Sequence, residues 1–185
     1  MSVYRISYRY ANSLFLLAEE KKSLMKLSED AELIFNTLQG SKELRTILKN
    51  PVIKQKEKKN ILTALFDTRV SKEIIDFLFF IVDKNREDLL YEIMSEFLNL
   101  RDQKEGIIRT EITSAVELND DIKNNMIKNL ERQTRKTIQS KYNLNPGLIG
   151  GFVVRIKDTV IDASVKHQLE ILRKKFSEEI SIKNN

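Results

Sequence analysis

The feature that most constrains this chain is a change of hydrophobic period at Gly106. Before it, apolar residues recur three and four apart, the spacing that lines one face of an α-helix. After it, Ile108, Thr110 and Ile112 alternate with Arg109, Glu111 and Thr113, the two-residue period of a half-buried strand. A helix and a strand present their apolar faces differently, so two separately built domains are expected, 1–105 and 106–185. With 185 residues and 41% apolar content, the chain has enough material for a real core.

In the first part every periodic segment reads as a helix. The first covers about Val3 to Glu20. The second, about 22–39, carries Leu24, Leu27, Ala31, Ile34 and Leu38 and stops at Gly40. Ser41 can cap a third with Leu44, Ile47 and Leu48, which must end before Asn50-Pro51 because a residue before proline disfavours helical geometry. A fourth is expected over 53–66, a fifth over 71–84, and a sixth through Leu90, Ile93, Phe97 and Leu100. Six short-looped helices predict a bundle.

The second part predicts a strand, a helix, two strands, a short strand and a final helix. Asn119 opens the first of these helices, with Asp120 and Asp121 suited to its positive end and Ile122, Met126 and Leu130 as its inner stripe. Ile138, Tyr142 and Leu144 mark the next strand. Beyond Pro146-Gly147, a turn signal, the run from Leu148 to Ile156 reads as a buried strand. Lys157-Asp158-Thr159 reverses the chain into Val160-Ile161. Asp162 or Ser164 then caps a helix whose apolar residues are Val165, Leu169, Leu172 and Phe176. The fold class is therefore mainly α with a small α+β part: an N-terminal six-helix bundle followed by a small α+β C-terminal domain.

Several chemistries are disfavoured. There is no cysteine, which removes disulfides, thiolate metal sites and cysteine nucleophiles. His167, the lone histidine, lies off the final helix's apolar stripe and reads as a surface residue rather than a metal ligand or catalytic base. Gly150-Gly151 lacks the spacing of a phosphate loop and reads as a place where a strand bends or another backbone comes close. Adjacent carboxylates such as Asp120-Asp121 diverge on a helix, so no acid/base dyad is visible. No catalytic residue, cofactor or metal is expected. The longest apolar run, from Ile74 to Val82, includes Asp76 and falls well short of the ~20 residues that span a bilayer, so a soluble chain is expected. Helical patterning from Val3 onward is unlike a signal or transit peptide. The net charge of +5 leaves a basic nucleic-acid-binding protein as the alternative. Its main clusters, 54–59 and Arg173-Lys174-Lys175, lack interleaved aromatics and read as solvated helix faces.

Binding surface is a better prospect. On a helical wheel Tyr4, Tyr8, Ala11, Phe15 and Ala18 form one stripe, and Val3, Ile6, Tyr10, Leu14 and Leu17 another about 120° away. A single core needs one stripe. Apolar residues from Ile74 to Val82 likewise surround helix five. Either both helices are central in the bundle, or they form a groove for a partner's amphipathic helix.

The chain resembles a known family, the δ subunits of bacterial F-type ATP synthases, equivalent to the mitochondrial oligomycin sensitivity-conferring protein. Matching positions are Pro146, Leu148 to Phe152, Val154, Ile156, Asp158, Val160 to Asp162, Ser164, Val165, Leu169 and Leu172 in its C-terminal pattern. In the N-terminal pattern Tyr10-Ala11, Leu14-Phe15 and Ala18 match. Asn145, Lys157, Ala163 and Ser13 depart from it. The resemblance implies a non-catalytic stator subunit that links the catalytic head to the peripheral stalk, coupling rotation to proton translocation and ATP synthesis. It implies one copy per complex, monomeric alone, held peripherally at the cytoplasmic face of the bacterial inner membrane. In this family helices one and five receive the N-terminal helices of α subunits, and the C-terminal domain joins the C-terminal ends of b subunits. Tyr10 falls at the family's aromatic position; the helical wheels extend that surface to Leu14, Leu17, Phe77 and Phe80. The joint Lys104-Glu105-Gly106 would allow elastic tilt between the domains.

Overall fold

The computed structural model describes residues 3–156 and 159–183, with side chains up to residue 174. The chain divides into two compact units, Met1–Glu105 and Gly106–Asn185.

The first unit is helical: α1 (Val3–Glu20), α2 (Leu24–Gly40), α3 (Lys42–Lys49), α4 (Gln55–Phe66), α5 (Lys72–Asp83) and α6 (Leu90–Glu105), with a 3₁₀ turn at Glu87–Leu89. The local causes are readable. Ser41 Oγ accepts the Leu44 amide at 3.1 Å to start α3, and α3 stops before Asn50-Pro51. Helices α2 and α4 start two residues later than expected, because Lys22 adopts a left-handed φ of 54° and the segment after Pro51 is a turn. One core fills the unit, with Leu14, Leu27, Ile34, Leu38, Leu62, Phe66, Ile74, Leu78, Ile81, Leu90, Ile93 and Phe97 sealed from solvent.

Buried polar groups tie these helices together. The Asp30 carboxylate accepts the Ser71 amide at 2.8 Å, joining α2 to the start of α5. Lys58, expected on a solvated face, is instead 3% exposed. Its ammonium donates to Glu87 at 2.5 Å and to the Leu48 carbonyl at 2.8 Å. Burying that charge is tolerable because both partners are buried with it.

The second unit contains β1 (Ile107–Ser114), α7 (Asp120–Thr134), β2 (Thr137–Leu144), a 3₁₀ turn (Pro146–Leu148), β3 (Phe152–Ile156), β4 (Thr159–Asp162) and α8 (Val165–Lys183). The strands form one sheet in the order β2-β1-β3-β4. The β1–β2 pair is parallel, which requires the α7 crossover, and the other two pairs are antiparallel. Asn119 Oδ1 accepts the Ile122 amide at 2.8 Å and starts α7 as expected. The helix's inner stripe is thinner than expected: Met126 and Leu130 are half-buried, while Ile122 is exposed.

The strand expected from Leu148 begins only at Phe152. Asn145 Oδ1 accepts the Gly147 amide at 3.0 Å, and Ile149 and Gly151 take left-handed φ values of 67° and 76°, so the preceding residues coil away from the ladder. A Cβ on Gly151 would stand 2.3 Å from the Ala163 carbonyl oxygen, and one on Gly150 would meet a Val165 methyl at 2.8 Å. The glycine pair thus admits the backbone that leads into α8. The reversal at Lys157-Asp158 lies outside the described residues.

Candidate functional site

Helix α5 carries apolar residues around most of its circumference, yet Ile74, Ile75, Phe77, Leu78, Ile81 and Val82 are all buried. For these residues a central position in the unit accounts for the excess. Phe80 is different: it is 44% exposed. The buried side of α1 is Ser7, Ala11, Leu14, Phe15 and Ala18, which cuts across both stripes of the helical wheel. Tyr4 and Tyr8 of one stripe and Val3 of the other are exposed instead.

Among the five residues placed on a binding surface by sequence, the structure separates three from two. Tyr10 and Phe80 meet edge to face across α1 and α5, with ring centroids 6.1 Å apart and planes at 65°. The Lys84 ammonium lies 5.5 Å from the centre of the Phe80 ring. Leu17, two turns along α1 from Tyr10, is half-buried. Leu14 and Phe77 belong to the core cluster, at 1% and 8% exposure, and present almost no surface. The helical wheel groups them with surface residues because a stripe's angle does not say how many neighbours surround the helix. Leu16, which belongs to neither stripe of the helical wheel, is 55% exposed.

The second unit holds apolar surface on the stripe of its last helix and on its last strand, residues whose outward or inward direction the sequence leaves open. Val165, Leu169 and Leu172 on α8 are 38%, 51% and 48% exposed, and Val160 and Ile161 on β4 are also exposed. Phe176, the last of that stripe, lies outside the described side chains. The helix is nonetheless firmly started: Ser164 Oγ accepts the His167 amide at 3.1 Å, and Asp162 Oδ1 accepts the Ser164 amide at 2.9 Å. Hydrogen bonds donated by the Ser164 hydroxyl and amide hold the Asp162 carboxyl below its usual range. His167 itself is exposed.

At the end of the first unit, the Lys104 ammonium contacts Glu19 at 2.8 Å. That hydrogen bond and charge raise the Lys104 pKa. Lys104 and Glu105, expected in a joint, belong to α6, so Gly106 alone separates α6 from β1. Among the described residues no three His, Cys, Asp or Glu side chains gather as a metal site, and no helix is long and apolar enough to cross a membrane.

Both units carry exposed apolar surface, around an aromatic pair on one and along a helix stripe on the other, of the kind found at protein–protein contacts. The family model "ATP synthase delta (OSCP) subunit" matches residues 6–176. The ATP synthase subunit delta of Desulforamulus reducens is 34% identical over 176 residues, covering 95% of this chain and 97% of that protein. The subunit delta of Chlorobaculum tepidum is 39% identical over 173 residues, covering 94% and 96%. A chain in the structure of the Toxoplasma gondii mitochondrial ATP synthase hexamer shares the fold, with a TM-score of 0.72 at 20% identity over 92% of this chain and 96% of that one. The chain belongs to the ATP synthase delta (OSCP) family. It is a non-catalytic stator component of an F-type ATP synthase. Nothing in these likenesses supports the nucleic-acid alternative.

Proposed function

We propose that the two units grip different parts of the synthase. In this reading the helices of the first unit act as a bundle that receives the N-terminal helices of α subunits. Tyr10, Leu17 and Phe80 supply the contact surface, and Leu14 and Phe77 support it from the core. The second unit holds the C-terminal ends of b subunits through the apolar surface of α8 and β4. One copy, monomeric when alone, would tie the head to the stalk at the cytoplasmic face of the bacterial inner membrane. A rotating central shaft drags the head unless an outer tether resists it, and a two-handed tether meets that need.

The observation that carries the reading is the Tyr10–Phe80 pair, two large aromatics from different helices joined at a partly exposed surface. Such rigid aromatic anchors suit the apolar face of a partner helix. Calorimetry with a peptide from the N-terminus of the α subunit tests it. Phe80→Asp is expected to weaken binding by at least about tenfold, with an unchanged circular dichroism spectrum. Unaltered affinity in a folded Phe80→Asp protein would remove the pair from the interface.

A further inference from the structure

We infer that the cleft between the α3–α4 connection, the first turn of α4 and the segment entering the Glu87–Leu89 turn is a docking site for an acidic polypeptide segment. The cleft has a volume of about 620 Å³ and lies wholly within the first unit. Lys49, Lys54, Lys56 and Arg86 line it, and all four are exposed. Against them the lining offers one exposed carboxylate, Asp88. Buried Lys58 and Glu87 neutralise each other at 2.5 Å and join two walls of the cleft. Among the described residues no ion pair holds any of the four exposed cations, whereas neighbouring Lys59 is paired with Asp83 at 2.6 Å.

The placement of two of these cations is electrostatically unfavourable in the free chain. Lys54 occupies the N-cap of α4 and Lys56 its first turn. A helix N-terminus carries partial positive charge and favours a carboxylate or hydroxyl there, and an ammonium has no acceptor with which to cap. The Glu57 carboxylate reaches back to the Lys54 amide at 3.4 Å, which relieves only part of this. A bound anion would oppose both the lysines and the helix dipole.

The lining narrows the kind of anion. Four cations spread over three chain segments match carboxylates distributed along a peptide better than one compact phosphate. Pro51 and Ile53 add apolar wall for the peptide's other side chains. Among the described residues no aromatic lines the cleft, so it offers a nucleic acid no surface for base stacking.

The test uses the full chain and a fluorescein-labelled ten-residue peptide bearing five glutamates and two leucines, followed by anisotropy. The Lys54→Glu/Lys56→Glu variant is expected to bind on the order of tenfold or more weakly than wild type. Lys22→Glu/Lys26→Glu, with the same charge change on exposed α2-side residues, should bind as wild type does. The cleft variant should melt no lower than wild type, because negative charge now sits at the N-terminus of α4. Equal weakening by both double variants, or tighter binding of a ten-nucleotide RNA than of the peptide, would overturn the proposal. Such a failure leaves the Tyr10–Phe80 contact untouched, since none of these residues belongs to it.

Discussion

At the residue scale, positions that resemble functional motifs turn out to be set by close approach and charge burial. Gly151 is needed because its φ is positive and a Cβ would strike the Ala163 carbonyl. Gly151→Ala is therefore expected to destabilise the second unit by about 1–3 kcal/mol, read from the shift of its urea midpoint. Lys58 sits in a cluster that looks solvated in sequence, but the fold seals it against Glu87 and the Leu48 carbonyl. Lys58→Met would strand the buried Glu87 carboxylate, at a cost of about 3–5 kcal/mol. A Lys58→Met/Glu87→Met double variant should recover most of that loss, and a double-mutant cycle from denaturant titrations measures the coupling.

At the scale of elements, helix and strand identities follow from period and capping residues, whereas the outward face of a helix depends on its neighbours. The stripe Val165-Leu169-Leu172 is amphipathic in sequence and still half-exposed in the fold. Leu169→Glu is thus expected to change the stability of the free protein by no more than about 0.5 kcal/mol. The same change should weaken capture of the peripheral stalk's b subunits in a pull-down. If Leu169→Glu instead melts the free protein substantially, the stripe is core and the proposed contact lies elsewhere. On α1 and α5 the distinction runs the other way. Leu14 and Phe77 share helix faces with Tyr10 and Phe80 closely enough to look like surface partners, but packing takes them into the core.

At the scale of the whole molecule, the two units are unequal in core. The first seals Phe66, Phe97 and many aliphatic side chains from solvent. In the second, among the described residues, Ile112, Ala115, Ile138 and Val154 are the buried hydrophobics. A thinner core supports less stability per residue. Heating should therefore produce two transitions, the second unit unfolding first. Hydrogen exchange would show it as amides of β1–β4 exchanging at lower cost than those of α2 and α6. A single cooperative transition seen by every probe would contradict this.

The sequence by itself determined where helices give way to strands, which residues cap α3 and α7, that Asp162 or Ser164 caps α8, and, through the pattern from Pro146 to Leu172, the family. Those features are local, set by backbone period and by side chains within a few residues of the amides they cap. Only the tertiary structure decided which apolar residues of α1, α5 and α8 remain at the surface, that Lys58 is buried, and that the chain coils from Pro146 to Gly151 before β3 begins. These outcomes depend on distant neighbours: a stripe is core where another helix covers it, a lysine is buried where a carboxylate meets it, and a glycine is required where a second backbone passes within a Cβ's reach.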